Sequence, residues 1–225
     1  MKIRIENWIK EYLAALEALF PGRLVFVGLQ GSYGRGEATD SSDIDMVVIL
    51  DEAKPEDLRA YAGMLDTLPN RDKACGFISG IRELENWERS DLFQFYYDTT
   101  PVFGSLDFLR DKIKPEDIRR AVRMGACNLY HACGHIMVHE RSCGILKGLY
   151  KSAVFTVQAI AYLQTGAYYR RKADLLEVLQ PPERAILETA MALLGQEADI
   201  APQDFDRLSD QLFNWASRVI HAYAL

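Results

Sequence analysis

From Ile5 onward the apolar positions Ile5, Trp8, Ile9, Tyr12, Leu13, Leu16, Leu19 and Phe20 recur at spacings of three and four. That is the stripe of one helical face, and Pro21-Gly22 stops it. Leu24–Leu29 then predicts a short strand running straight into Gly31-Ser32-Tyr33-Gly34-Arg35-Gly36, which reads as a glycine-rich turn. A polar link, residues 37–42, leads to a second strand at Ile44–Leu50. Pro55 suits the first turn of a helix in which Leu58, Tyr61, Ala62 and Leu65 form the buried face, ended by Pro69-Asn70. A third strand is expected at residues 75–81. Residues 92–97 fit either helix or strand, and residues 101–104 read as a short edge strand.

Beyond Pro115 glycine and proline thin out, and the apolar period stays helical over residues 115–139, 145–164, 182–194 and 205–222. The expected fold is α+β: an amino-terminal mixed sheet with helices, then an all-α helical bundle. The boundary belongs in the charged run Arg110-Asp111-Lys112-Ile113-Lys114, giving domains at 1–112 and 113–225.

With 49% apolar and 26% charged residues, the 225-residue chain has the composition of a folded protein with one or two cores. A formal net charge of -6 argues against extended nucleic acid as a partner, since that footprint needs clustered Lys and Arg. Residues 1–10 mix Lys2, Arg4, Glu6 and Lys10 among apolar positions, so no signal-type apolar core is expected there. No run approaches the ~18 apolar residues of a membrane span, and the expected location is cytoplasmic. Cys75, Cys127, Cys133 and Cys143 are too few to imply a disulfide framework, so reduced thiols are expected.

The chemistry-bearing segment is Gly31-Ser32-Tyr33-Gly34-Arg35-Gly36 followed, after the polar link, by Asp43-Ile44-Asp45 opening a strand. Alternation along a strand puts Asp43 and Asp45 on one face with Ile44 on the other. Two adjacent carboxylates repel unless a cation lies between them. Mg2+ is commonly held by one or two carboxylates together with substrate phosphates. Glycines let backbone N–H groups and the Ser32 hydroxyl approach phosphate oxygens, and Arg35 would neutralise part of their charge. A glycine-rich turn or an Asp-x-Asp pair is common by itself; the two on successive strands are far more specific. No Gly-Lys-Ser/Thr follows, which excludes a Walker loop. A second strand follows rather than a helix, which excludes a dinucleotide fingerprint.

Gly-Ser, Arg-Gly and Asp-hydrophobic-Asp on a strand resemble the signature of the DNA polymerase β-type nucleotidyltransferase superfamily, in its kanamycin nucleotidyltransferase and minimal nucleotidyltransferase branch. The resemblance is strongest over residues 24–50. It implies a nucleotidyltransferase-like sheet domain with a helical substrate-binding domain. Gly31 and Ser32 would hold a triphosphate, and Asp43 and Asp45 would be the catalytic metal ligands of a two-metal Mg2+ site. The implied reaction moves a nucleoside monophosphate, AMP from ATP, to a hydroxyl of a small-molecule acceptor and releases pyrophosphate. Alternatives are a protein side chain as acceptor, as in antitoxin-like members, or a nucleotide-binding module without efficient catalysis. A homodimer is compatible with the resemblance. Active relatives carry a third carboxylate on the next strand; here that strand has none, and Asp72 or Glu83 is the nearest substitute.

Two further patterns lie in the helical half. Lys147 and Lys151 are one turn apart, and the resemblance makes Lys151 a candidate triphosphate ligand. Cys127, His131, His135, His139 and Cys143 recur every four residues. That stripe drifts about 40° per step, so all five cannot meet one ion, and a packed face of satisfied histidines is expected. Phe93, Phe95, Tyr96 and Tyr97 read as packing aromatics at the border of a cleft, and residues 168–172 as a basic, solvated helix end. The helical half contains no Arg followed at four to six residues by His, which argues against a fused ribonuclease domain.

Overall fold

Helix α1, Ile5–Leu19, buries Trp8, Tyr12 and Leu16 in a computed structural model that describes residues 3–195 and 200–224. Lys2 lies outside the described residues. The chain divides into two units, Met1–Lys112 and Ile113–Leu225.

In the first unit, β1 (Leu24–Leu29) is followed by a five-residue helix, α2 (Gly31–Arg35), then β2 (Ile44–Leu50), α3 (Pro55–Leu65) and β3 (Ala74–Gly80). Helices α4 (Ile81–Glu85) and α5 (Arg89–Asp98), strand β4 (Thr100–Phe103) and helix α6 (Asp107–Arg110) complete it. The sheet order is β3-β2-β1-β4. The β1 strand runs antiparallel to β2 and β4, while β2 and β3 are parallel, so the sheet is mixed. Ile44, Met46, Val48 and Leu50 of β2 join Val27 and Leu29 of β1 against Trp8, Tyr12 and Leu16 of α1. The alternate residues of β2, Asp45 among them, leave the sheet on its other face.

Two local expectations are corrected, and the choice left open at residues 92–97 falls to helix. The glycine-rich segment is a short helix rather than a plain turn. Residues 92–97 are helical, because α5 presents Leu92 and Phe93 as a buried pair at successive positions, with Asp98 one to two turns on. Helix α3 buries Met64 and Leu65 with Tyr61 partly buried beside them, whereas Leu58 is 45% exposed and Ala62 is exposed as well. Tyr61 sets this orientation, since its hydroxyl lies 2.6 Å from that of Tyr12 in the core.

The second unit is helical: α7 (Pro115–His135), α8 (Cys143–Thr165), α9 (Lys172–Val178), α10 (Glu183–Leu194) and α11 (Phe205–Ala222). Its core is built from Ile118, Val122, Ala126, Leu129 and Cys133 of α7, Leu146, Tyr150 and Val157 of α8, and Leu212, Trp215 and Val219 of α11. The Tyr150 hydroxyl donates to the Leu208 carbonyl at 2.9 Å, which satisfies the one polar atom that this ring buries. Helix α9 was not legible in the sequence. Residues 168–171, expected to end a helix, are the irregular link that enters it, and Gln158 pins that link by donating to the Tyr169 carbonyl at 2.8 Å.

Among the described residues no helix is long and apolar enough to cross a membrane.

Candidate functional site

Gly31 and Asp45 meet where β1 hands over to α2. Leu29 pairs with Met46, and the Gln30 N–H donates to the Asp45 carbonyl at 2.8 Å, so the ladder carries the turn onto the start of β2. Gly31 has φ +63, in the left-handed region. A Cβ built there would overlap the Asp45 carboxylate, 2.9 Å from its Cγ and closer still to Oδ2. Two independent reasons therefore demand glycine: the backbone angle and the carboxylate lying over it. The first N–H groups of α2, at Gly31, Ser32 and Tyr33, precede any intrahelical carbonyl by helix geometry. They begin at Gly31, the residue that meets Asp45.

The turn is fastened on both sides. The Gln30 side chain donates to Thr99 Oγ1 at 2.7 Å, and Gly34 N–H to the Gln30 carbonyl at 3.0 Å. Gly34 lies so close to the Leu29 carbonyl that a Cβ would stand 2.7 Å from its oxygen. Arg35 closes α2 with its Nη1 2.6 Å from Asp98 Oδ2 and its Nε 3.5 Å from Glu37. With side chains 12% and 7% exposed, Arg35 and Asp98 form a buried ion pair that ties α2 to the end of α5. Beyond α2, Thr39 N–H donates to Ser42 Oγ at 2.9 Å, and Lys73 Nζ donates to the Asp40 carbonyl. The loop is thus tied to the start of β3.

Asp43 stands just ahead of β2 and is exposed; Asp45, inside it, is half-buried. Ile44 between them is fully buried, which is the alternation a pair of same-face carboxylates needs. On the neighbouring strand Cys75 is the register partner of Asp45. A thiol, exposed and reduced, therefore occupies the β3 position beside this carboxylate. Neither substitute acid joins it. Glu83 follows Gly80, which pairs with Leu50 at the far end of β2, and its Oε2 lies against Gly80. Asp72 precedes β3 in an exposed 3-10 turn. Among the described residues no group of three His, Cys, Asp or Glu side chains converges to hold a metal.

The histidine stripe is broken. Cys127, His131 and His135 lie on α7, His139 lies on a π-helical segment Ile136–Glu140, and Cys143 opens α8 after Arg141 at φ 46. His131, His135 and His139 are exposed, which corrects the expectation of a packed face. The face that α7 buries, Val122-Ala126-Leu129-Cys133, lies on the opposite side of the helix, since His131 stands two residues, or about 200°, from both Leu129 and Cys133. His135 and His139 rings stand 4.9 Å apart, and Glu140 is 3.7 Å from His135 Nδ1. Lys151 is exposed on α8.

On the aromatic side, Phe93 is buried as expected, with Tyr97 5.3 Å away and Tyr96 packed edge-on against Tyr97 at 5.0 Å. Phe95 contacts Phe77 at 5.3 Å, and Phe77 meets Trp87 edge-on at 5.5 Å. Sequence reading missed Trp87, because nothing in its local pattern says which sheet face it reaches.

Residues 9–106 match the family model of the nucleotidyltransferase domain. Over 46 residues, 20% of the chain, the sequence is 44% identical to a Methanocaldococcus jannaschii protein named as a candidate protein adenylyltransferase. The matched stretch spans 46%, about half, of the length of that relative. In fold the chain is similar to spectinomycin adenyltransferase AAD(9) from Enterococcus faecialis, solved with ATP and spectinomycin. The TM-score is 0.61 at 14% identity, covering 94% of this chain and 99% of that one.

Proposed function

We propose, from the premise that residues 9–106 form a nucleotidyltransferase domain of the DNA polymerase β type and that the chain is a nucleotidyltransferase, that it transfers AMP from ATP to a hydroxyl of a small-molecule acceptor. The observation that carries this reading is the Asp45 carboxylate lying against Gly31 at the mouth of α2. A triphosphate on the N–H groups of Ser32 and Tyr33 would bring its oxygens to that carboxylate.

Asp43 and Asp45 suit Mg2+: two carboxylates on one face leave most of an octahedral shell to phosphate oxygens and water, the usual manner in which this ion is held. When bound, the ion supplies charge neutralisation at the transferring phosphoryl group. The chain supplies position. Gly31 permits the close approach, Ser32 offers a hydroxyl to the phosphates, and the Arg35–Asp98 pair holds α2 at its angle to β2. We assign Arg35 to that positioning role, since its guanidinium already serves two carboxylates. Lys151 remains a candidate cation for the triphosphate. The acceptor oxygen bonds to the α-phosphorus as the bond to the bridging oxygen breaks. Pyrophosphate leaves and the hydroxyl proton passes to water, β3 having no carboxylate to take it.

Incubation with Mg-ATP and a panel of hydroxylated acceptors, following pyrophosphate and labelled product, tests the proposal. Asp43→Asn and Asp45→Asn are each expected to lower turnover by about 10³-fold or more. Equal pyrophosphate release from wild type and both variants would show that the chemistry lies elsewhere. The identity to the Methanocaldococcus jannaschii protein supports a second reading, with a protein side chain as acceptor. Label on polypeptide rather than on any small acceptor selects it, and Mg-ATP binding without product selects a nucleotide-binding module.

A further inference from the structure

His135 closes α7, and the π-helical turn Ile136–Glu140 follows it. Were the α-helix to continue at about 100° per residue, Glu140 would stand about 140° round the axis from His135, on another face. The π turn closes over five residues instead, the Arg141 N–H donating to the Ile136 carbonyl at 2.7 Å, and so brings position 140 back toward position 135. Glu140 Oε1 accordingly lies 3.7 Å from His135 Nδ1. His139 stays on the same side, its ring 4.9 Å from that of His135 and tilted by 52°. Two imidazoles and a carboxylate thus share one face because the helix widens at that turn. Single π turns of this kind are frequent at functional sites.

The turn is anchored on both sides. Ile136 is buried in the helical core. Arg141, in the left-handed region at φ 46, ends the turn, and its guanidinium reaches α11, 2.7 Å from Asp206 and 4.9 Å over the Phe205 ring. His135, His139 and Glu140 are exposed, so an ion can reach them. Their spacing suits one. Two imidazoles bound to a tetrahedral ion through bonds of about 2.0–2.1 Å hold their ring centres about 5 Å apart, which the observed 4.9 Å matches. A carboxylate beside Nδ1 keeps the ring proton on that nitrogen and leaves Nε2 for a metal, the usual outer partner of a ligating histidine. Imidazole selects Zn2+, Ni2+ or Cu2+, whereas Mg2+ takes oxygen ligands such as those of Asp43 and Asp45.

We infer that His135 and His139 chelate a transition cation of the Zn2+ class, with Glu140 as the positioning carboxylate behind His135, and that the ion clamps the end of α7 to the link into α8. The rest of the coordination shell is water. The site lies within the helical unit and is independent of the nucleotidyl-transfer reading.

Untagged full-length protein, stripped with a chelator, is titrated with Zn2+ by calorimetry, with Mg2+ as the oxygen-seeking control. Saturable Zn2+ binding that excess Mg2+ does not displace is expected, together with a higher thermal midpoint. His135→Ala and His139→Ala should each weaken binding by about tenfold or more and remove the thermal shift, and Glu140→Gln should weaken it about tenfold. His131→Ala is the control, because His131 precedes His135 by the same four residues but on regular α-helix, and it should bind as wild type does. Cobalt substitution should give visible ligand-field bands without thiolate charge-transfer absorption. No Zn2+ binding, equal binding by His139→Ala, an equal loss in His131→Ala, displacement by Mg2+ or a thiolate band would each overturn the inference. Circular dichroism of the metal-free variants verifies that they fold.

Discussion

At the scale of single residues, Gly31 and Arg35 differ in a way that their common motif conceals. Gly31 is required by contact: any side chain enters the Asp45 carboxylate. Gly31→Ala is therefore expected to leave the fold intact, at a cost of about 1–2 kcal/mol for a left-handed alanine. Turnover should drop about 10²-fold through displacement of Asp45. Thermal unfolding and steady-state rates on the same preparation check this, and a variant with wild-type rate would dissociate Gly31 from the reaction. Arg35 is required by charge. Removing it leaves Asp98 buried at 7% exposure without its 2.6 Å partner, and Arg35→Ala should cost about 3 kcal/mol of stability. Urea unfolding measures it. A stable variant that loses only ATP affinity would return Arg35 to a direct phosphate role.

At the scale of elements, the two helices α3 and α7 open on the same tetrapeptide, Lys-Pro-Glu-Asp, at residues 54–57 and 114–117. In each the proline sits at the first helical position, where no N–H is needed. The aspartate takes the lysine N–H, at 3.0 Å for Asp57 and 2.9 Å for Asp117. Asp57 does more, because Arg23 also donates to both of its oxygens, at 2.8 and 3.0 Å, joining the start of β1 to the start of α3. Hydrogen bonds from Arg23, then from the Lys54 backbone, hold the Asp57 carboxyl at about 2, below its ordinary 3.8. A depressed pKa favours the folded state only while the group is ionised. Its contribution is complete above pH 3.8 and is lost as pH falls toward 2. Asp57→Asn should lower the urea midpoint at neutral pH, and the gap to wild type should close across that acid window. A gap that stays constant with pH would mean that the pair is not linked to folding.

At the scale of the whole molecule, the periodicity change near Pro115 separates a sheet unit from a helical one, because a two-residue repeat and a 3.6-residue repeat bury different faces. The carboxylate pair was equally legible as a pair: alternation around a buried Ile44 puts Asp43 and Asp45 on one face. The glycines were legible as a close approach of backbone to something. What they approach, the Asp45 carboxylate, depends on the β1–β2 register, which is a pairing between segments and has no local signature. The same holds for Cys75 beside Asp45, for Glu83 at the far end of β3, for Asp98 under Arg35 and for Trp87 against Phe77. Local spacing thus determined which residues can do chemistry and which face each strand gives them. Only the tertiary structure decided which of them meet, because strand register and helix placement are set by burial of the whole core rather than by neighbours in the chain.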